Sequence, residues 1–494
     1  MSENRYNIII FNPDQFRADA LHHLGNPASV TPNFDKIVES EGVSFNNAFC
    51  QNPVCTPSRC SFMTGWYPHV RGHRTMFHML HKDEPVLLKR LKDSGYFVWW
   101  GGKNDLIPGQ YSPDPYCDIK YEPEKQLRAN LHIDQNWRGE KGSGNYYSFY
   151  AGKLDTGKDE VYYDSDWAHV EGAADFIKNY SNQNKPFCIY LPLSYPHPPY
   201  GVEEPWYSKI DRNKIPSRIS APESWENKPS LLKGIYERQN LQDWDEEEWR
   251  ELRATYLGMC SRLDYQFGLL MEALDESGQY DNTAVFIFSD HGDFTGDYGL
   301  VEKTQNTFED CLTNVPLIIK PPAEIDCEPG IKESLVELID FTATVEDLTD
   351  IKRNYTHFGK SLLPVIRGEK SRHRDAVFCE GGRLHGETHC MELESEAHQN
   401  PSGLYWPRVN LQTSEGPEHT KAVMCRTENL KYVKRLYEKD ELYDLKKDPE
   451  ELTNLIDKPA YSKQLMRLKE RLLTYYLETD SVVPHETDKR NFDR

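Results

Sequence analysis

Short apolar runs alternate along the chain with longer segments whose apolar residues recur at helical spacing. The apolar runs predict buried strands at 6–11, 96–100, 187–193, 283–288 and 315–319. The helical spacing predicts helices at 57–64, 86–94, 167–180 and 249–277. Strands that alternate with helices are typical of an α/β fold, here with a large, mostly parallel central sheet flanked by helices.

The pattern changes after residue 370, where short strands at 376–379 and 431–437 precede a charged helix at 461–477. This order predicts a smaller C-terminal α+β subdomain (371–494) that packs on the larger N-terminal domain (1–370). Segments 104–165 and 203–247 resist assignment and are rich in Pro, Gly, Tyr, Trp and charge. Loops of this length in a compact domain usually have a function, so we expect both segments to act as covers.

Composition narrows the classes of partner. The chain has 494 residues and a formal net charge of −21, which argues against a nucleic-acid partner because such proteins need a basic face. The sequence lacks an apolar run near the about 18 residues that span a bilayer, and it lacks a signal-peptide pattern. We therefore expect a cytoplasmic protein without a membrane segment, although a processed exported form would read the same way. The 11 cysteines lack the regular spacing of a disulfide framework, so we expect most of them to be reduced.

The sharpest motif is Cys-Thr-Pro-Ser-Arg at 55–59. Taken alone, it would also fit a buried cysteine beside a helix that begins with proline. It resembles the C-x-P-S-R signature of type I sulfatases, in which a maturation enzyme oxidises the cysteine to formylglycine. The resemblance implies that Cys55 becomes a hydrated aldehyde with two hydroxyls. One hydroxyl can attack sulfur, and the other can then release sulfate by collapse to the aldehyde.

Further segments match the same family in the expected order. They are Gly-Lys-Asn-Asp at 102–105, Tyr-Pro-His-Pro-Pro-Tyr at 195–200, Ser-Asp-His-Gly at 289–292, Gly-Asp-Tyr-Gly-Leu at 296–300 with Lys303, and Glu-Leu-Tyr-Asp-Leu at 441–445. The resemblance covers residues 6–455 and implies the fold of the alkaline-phosphatase superfamily.

The resemblance implies a metal site formed by Asp14 and Gln15 after the first strand and by Asp290 and His291 after a later one. Oxygen ligands of this kind suit Ca²⁺ or Mg²⁺, and one imidazole shifts the preference slightly toward Mn²⁺ or Zn²⁺. We expect one divalent cation, with Ca²⁺ as the first choice.

Catalytic roles follow from the same resemblance. Arg59 would hold the formylglycine and offset its developing charge. Lys103 and Lys303 would grip the sulfate oxygens, since electrostatic stabilisation is often the largest catalytic effect. His197 would act as general acid to the leaving alcohol or would contact the sulfate.

Two positions depart from the family pattern. Gln15 replaces a second aspartate, which removes one negative charge, and this Asp-Gln pair resembles the branch of choline sulfatases and phosphonate monoester hydrolases. Asp105 stands where a histidine is common. It could serve as a base, contact the substrate or lie off the site.

Downstream of the nucleophile, His73, Arg74 and His78 lie in a stretch that often lines the substrate pocket of this family, and Arg71 adds to a local basic cluster. Two interpretations are open: these residues are contacts for an anionic substrate, or they are part of a solvated loop.

A zinc site is a second, less favoured interpretation of His and Cys residues in the C-terminal part. His385, His389 and Cys390 lie near Cys379 in the sequence, but their spacing fits no standard zinc module. A loop with incidental His and Cys is the preferred interpretation.

Together these features predict a formylglycine-dependent sulfatase that hydrolyses a small sulfate monoester, such as a sulfated sugar, to an alcohol and sulfate. One alternative is a phosphonate monoester or phosphodiester hydrolase with the same site. Others are an inactive anion-binding homologue and an enzyme that uses unmodified Cys55. The family and the long tail suggest a homo-oligomer.

Overall fold

The structure is a computed structural model that describes residues 5–181, 185–392 and 400–490. In these ranges the strands are β1 (Asn7–Asp14), β2 (Val43–Phe49), β3 (Phe97–Gly101), β4 (Ile119–Tyr121), β5 (Tyr150–Lys153), β6 (Phe187–Pro196), β7 (Tyr200–Val202), β8 (Thr283–Phe288), β9 (Leu317–Lys320), β10 (Gly330–Glu337), β11 (Val377–Gly381), β12 (Ala422–Arg426), β13 (Leu430–Arg435) and β14 (Glu441–Asp444). The α-helices are α1 (Pro32–Ser40), α2 (Cys55–Thr64), α3 (Pro68–Arg71), α4 (Leu87–Asp93), α5 (Ser165–Asn179), α6 (Trp206–Lys209), α7 (Ser230–Gln239), α8 (Glu246–Glu276), α9 (Asp310–Thr313), α10 (Asp340–Thr349), α11 (Leu363–Ile366), α12 (Trp406–Val409) and α13 (Ser462–Thr479).

Eight strands form one large sheet in the order β10-β2-β9-β8-β1-β6-β3-β4. All of its strands run in one direction except β9, which pairs antiparallel with both neighbours. The predicted fold class, a mainly parallel sheet flanked by helices, is confirmed. The direction of β9 could not be predicted from the apolar pattern. A parallel neighbour needs a crossover connection, usually a helix, whereas β8 and β9 are joined by a loop and the short α9.

Both faces of the large sheet are buried, and successive residues of β1 show this. Ile8 and Ile10 belong to an apolar layer that includes α2, α4 and α10, whereas Ile9 and Phe11 belong to the opposite layer with α1, α5 and α8. A parallel strand covered on both faces is apolar throughout. That is why the run at 6–11 was recognisable as a strand.

Strands β2 and β10 were missed because their sequences are partly polar. Asn46 and Asn47 interrupt the apolar pattern of β2, and Lys332 and Glu333 interrupt that of β10, which lies at the edge of the sheet. Edge strands tolerate and even favour charged side chains. Segment 203–247, left unassigned by the sequence, contains α6 and α7.

The C-terminal part forms an antiparallel sheet in the order β11-β12-β13-β14, against which α13 packs Leu468, Leu472 and Tyr475. The predicted strand 431–437 ends at Arg435, since Tyr437 adopts a left-handed φ of 64°. The division into domains 1–370 and 371–494 stays a prediction. Among the described residues, each helix is too short or too polar to cross a membrane.

Candidate active site

The carboxyl ends of four parallel strands meet at one edge of the large sheet. Strand β1 ends at Asp14, β8 runs toward Asp290, β6 toward His197 and β3 toward Lys103. These strands are neighbours in the order β8-β1-β6-β3. Ligands bind at this edge in open α/β sheets, so the topology brings together residues that are far apart in the sequence.

Four buried side chains form a candidate cation site. The donor atoms of Asp14, Cys55, Asp290 and His291 all lie within 4.8 Å of one another. Burial alone would raise the pKa of Asp14, but the positive charge of Lys103 and its neighbours holds that pKa well below the usual value. Ionised carboxylate oxygens with one imidazole fit a divalent cation. The predicted ligands Asp14, Asp290 and His291 are therefore together.

Gln15, the fourth predicted ligand, has an amide group with a fixed orientation. Its Nε2 donates to Asp293 Oδ2 at 2.5 Å, and its Oε1 accepts from Lys303 Nζ at 2.7 Å. The Tyr200 hydroxyl also donates to Asp293, at 2.7 Å. Burial raises the pKa of Asp293 to about 6. The amide oxygen is thus held against the Lys303 ammonium group, and the role of Gln15 as a ligand stays a prediction.

Cys55 begins helix α2 and lies inside the candidate cation site. Its Sγ is 3.2 Å from His291 Nε2 and 3.5 Å from Asp14 Oδ1, and the residue is 1% exposed. Burial raises the pKa of the Cys55 thiol well above its usual value, and the Asp14 carboxylate raises it further. A helix N-terminus favours negative charge. Burial and the Asp14 carboxylate nevertheless disfavour a free thiolate at this position.

Arg59, one turn along α2, is fully buried and contacts the carboxylates of the site. Its Nε donates to Asp290 Oδ2 at 2.9 Å and its Nη2 to Asp14 Oδ2 at 3.0 Å. A third bond runs from Nη1 to Asn12 Oδ1 at 3.0 Å. These bonds position the two carboxylates. The role expected from the resemblance, a direct hold on residue 55, is not among these contacts.

Lys103 and Asp105 both reach the site from the loop after β3. Lys103 Nζ lies 2.5 Å from Asp14 Oδ2 and 3.1 Å from Asp105 Oδ2. Asp105 is also 3.8 Å from the Arg59 guanidinium. The sequence left open whether Asp105 belongs to the site, and the structure places it there as a partner of two cations.

Lys303 and His197 form a pair on the opposite side. Lys303 Nζ lies 2.8 Å from His197 Nε2, and His197 Nδ1 lies 2.6 Å from the carbonyl oxygen of Pro198. Burial and the charge of Lys303 lower the pKa of His197 well below its usual value. His197 is therefore neutral in this arrangement, and its Nε2 accepts a hydrogen bond from Lys303.

The family model for sulfatases matches residues 6–351. The chain belongs to the sulfatase family. This confirms the resemblance inferred from the sequence motifs, and it confirms the predicted enzyme class, a sulfuric ester hydrolase.

Relatives of this sulfatase have matching lengths. The multifunctional alkaline phosphatase superfamily protein PehA of Trinickia caryophylli is 26% identical, over 97% of each chain. An arylsulfatase of Clostridium perfringens is 25% identical, over 94% of this chain and 93% of that one. The crystal structure of the phosphonate monoester hydrolase of Agrobacterium radiobacter superposes with a TM-score of 0.73 at 22% identity, covering 98% of this chain and 100% of that one. The last similarity supports the alkaline-phosphatase-like fold.

A cavity of about 350 Å³ adjoins the sulfatase site. Lys103 and His197 line it together with His132 and residues 127–131 of the predicted cover segment 104–165. His132 and its neighbour Tyr405 were not singled out by the sequence, because neither belongs to a recognisable motif. The only available signal was that a long irregular segment tends to cover a site.

His73, Arg74 and His78 contact other parts of the protein. His73 Nε2 lies 3.0 Å from Glu84 Oε1, and its Nδ1 lies 2.8 Å from the carbonyl oxygen of His78. Arg74 donates to the carbonyl oxygen of Gly382 at 2.9 Å and pairs with Glu387 at 3.0 Å. Their proposed role as substrate contacts stays a prediction.

Two of the residues considered for a zinc site, His389 and Cys390, belong to a local cluster of potential ligands. Potential ligand atoms of Glu387, His389 and Cys390 lie within 4.8 Å of one another. His385 instead stacks on Tyr437, with ring centroids 4.2 Å apart, and Cys379 is buried in β11. The four residues considered from the sequence therefore do not form one site.

Proposed function

We propose that this sulfatase hydrolyses the sulfate monoester of a small organic alcohol, such as a sulfated carbohydrate, with Cys55 converted to formylglycine. The observation that carries the proposal is the position of Cys55. It begins α2 and lies within 3.2 Å of His291 and 3.5 Å of Asp14. A formylglycine-generating enzyme is the partner that this modification requires.

One divalent cation, with Ca²⁺ as the first choice, would be held by Asp14, Gln15, Asp290 and His291. The cation would supply positive charge to the ester oxygens, and formylglycine would supply a hydroxyl nucleophile. The Gln15 amide is oriented for such a role by its bond to Asp293.

The remaining steps belong to charged side chains of the chain itself. Lys103 and Lys303 place two ammonium groups beside the candidate cation site, where they would bind sulfate oxygens. Arg59 keeps the two carboxylates in place. The neutral His197 accepts a hydrogen bond from Lys303 at 2.8 Å and would orient that ammonium group, so protonation of a leaving alcohol by His197 would require a proton from water.

A phosphonate monoester or phosphodiester hydrolase is the second candidate. Gln15 fits it, because an Asp-Gln pair resembles the branch of choline sulfatases and phosphonate monoester hydrolases, and the similarity to the Agrobacterium radiobacter enzyme supports it. Sulfate monoesters and phosphonate monoesters carry the same single negative charge, so this site would distinguish them weakly.

Matched substrates separate the two candidates. Protein coproduced with a maturation enzyme would be assayed with 4-nitrophenyl sulfate and 4-nitrophenyl phenylphosphonate, before and after removal of metal with EDTA and addition of Ca²⁺. We expect faster hydrolysis of the sulfate, loss with EDTA and recovery with Ca²⁺. Faster hydrolysis of the phosphonate would favour the second candidate. A panel of sulfated sugars, followed by sulfate release, would then define the alcohol.

A further inference from the structure

A second histidine, His132, stands beside His197. The two ring centroids are 5.5 Å apart, with the planes at 57°. On its other side His132 stacks on Tyr405, with centroids 6.0 Å apart and planes at 24°, and its Nδ1 lies 3.2 Å from the Tyr405 hydroxyl. His132 and Tyr405 come from segments 273 residues apart.

The lining of the cavity indicates which part of a substrate His132 would face. The 350 Å³ cavity is lined by His132, His197 and Lys103, whereas Cys55 is not part of its lining. The sulfur of an ester must lie near residue 55, between the lysines. A leaving organic group that extends past His197 into this cavity would lie beside His132.

The two segments that carry this pair are fixed to each other. Arg138 Nη1 donates to the carbonyl oxygen of Ser402 at 2.8 Å. The ring of Tyr147 stacks on that of Trp406 with centroids 6.0 Å apart. The ring of Phe149 lies 5.4 Å from that of Tyr405. These contacts bring the segments that carry His132 and Tyr405 together.

One direction of the Tyr405–His132 hydrogen bond leaves a donor available on Nε2. When the Tyr405 hydroxyl donates to Nδ1, the proton of the neutral ring resides on Nε2. None of the described residues forms a hydrogen bond with this Nε2. Burial, with the charges of Lys103 and Lys303, lowers the pKa of His132 to about 4, so the ring is neutral at pH 7.

We propose that His132 is a catalytic residue whose Nε2–H donates a hydrogen bond to the leaving-group oxygen, with Tyr405 as the residue that positions it. The hydrogen stays on Nε2 throughout. The electron pair of the S–O bond passes to the oxygen as that bond breaks, the hydrogen bond stabilises the negative charge, and the oxygen then takes a proton from water. The inference rests on the proposed function only in requiring an ester whose leaving group is an oxygen.

The leaving-group dependence of the rate tests this role. A donor to the leaving oxygen matters most when the leaving alcohol is weakly acidic, since more charge must then be stabilised. For His132→Ala we expect kcat/KM to fall about tenfold with 4-nitrophenyl sulfate and about a hundredfold with phenyl sulfate. His132→Gln, whose amide N–H can replace Nε2, should recover most of the loss with phenyl sulfate. Tyr405→Phe should give an intermediate loss with the same dependence.

Ile133→Ala changes an 83% exposed neighbour and serves as the control, with unchanged rates expected. Equal losses of His132→Ala on both esters, or no loss, would overturn the proposal. The wild-type protein is assayed in parallel on aryl phenylphosphonates. If it hydrolyses only these, the proposed function fails while the role of His132 is still measured on that series.

A second readout needs no turnover. ¹⁵N NMR of histidine-labelled protein, with His132→Gln used to assign the signal, reports which ring nitrogen carries the hydrogen. We expect a neutral ring with the hydrogen on Nε2, and a shift of this equilibrium in Tyr405→Phe. A His132 ring with the hydrogen on Nδ1 would overturn the proposal.

Discussion

The candidate active site has two halves that are built differently. The sheet-edge half comprises Asp14, Cys55, Asp290 and His291, which end strands or begin a helix and are fully buried. The wall half comprises His132, Tyr405 and the cavity-lining residues 127–131. It is made of irregular segments joined by aromatic contacts. The sheet-edge half thus holds residue 55 and the candidate cation ligands on regular elements, while the wall half faces the leaving alcohol with irregular segments that are free to vary.

The largest effect should come from the nucleophile in the sheet-edge half. We expect Cys55→Ala to lower kcat/KM by at least about 10⁴-fold, because both the attack and the release of sulfate require the modified residue. Initial rates on 4-nitrophenyl sulfate would measure this. The matched control is Cys60→Ala, another buried cysteine of α2 that lies in the apolar core, and it should remain active. Substantial activity in Cys55→Ala would show that residue 55 of the sheet-edge half is not the nucleophile.

A smaller effect is expected at Gln15. In Gln15→Asp, a carboxylate would replace the amide that donates to Asp293 at 2.5 Å, so two buried carboxylates would repel each other. We expect kcat to fall about tenfold at pH 7. The double variant Gln15→Asp with Asp293→Asn restores a donor and should recover most of the activity. A double variant no better than the single one would refute this account of the pair.

The wall half should respond through binding. Arg128 lines the cavity and pairs with Asp159 near its mouth. We expect Arg128→Ala to raise KM by less than about tenfold and to leave kcat unchanged, since a contact that is equal in ground and transition states affects KM alone. Lys158→Ala removes an exposed positive charge from the same segment and is the control. A fall in kcat for Arg128→Ala would contradict the division between the sheet-edge half and the wall half.

The smallest effect on activity is expected outside both halves, at Glu346. Burial alone would raise its pKa, but bonds with His357 and Arg90 lower the pKa of Glu346 to about 2. A lowered carboxyl pKa stabilises the fold above the unfolded value of 4.5, and this stabilisation is lost as pH falls toward 2.

Denaturation at two pH values measures this. Glu346→Gln should lower the free energy of unfolding by about 1–2 kcal/mol at pH 7, and by less at pH 3, with unchanged kcat. Asp347→Asn, at the exposed neighbouring position, should change neither quantity. An equal loss of stability at both pH values would argue against the charge of Glu346 as the cause.

The proximity of the sheet-edge residues could be predicted from the sequence for a physical reason, while their roles stay predictions. Asp14 and Asp290 directly follow apolar strands, and Cys55 lies in a motif tied to its chemistry, so their proximity follows from the parallel topology. Arg59 shows the limit of this reasoning. The motif identified it, but its bonds to Asp14 and Asp290 depend on how α2 lies across the strand ends.

The wall half could not be predicted. His132 and Tyr405 meet across 273 residues of chain, and nothing periodic marks either position. The antiparallel strand β9 shows the same limit within the fold, because an apolar run does not encode its direction. Contacts between irregular segments are set by tertiary packing, which local sequence patterns do not report.

The state of residue 55 is the central claim, and mass spectrometry tests it most directly. Conversion of cysteine to formylglycine lowers the mass of the peptide by about 18 Da. With protein coproduced with a maturation enzyme, we predict this loss on the peptide that carries Cys55, and an activity that scales with the converted fraction. An unchanged thiol, in cells where another type I sulfatase is converted, together with full activity would contradict the account.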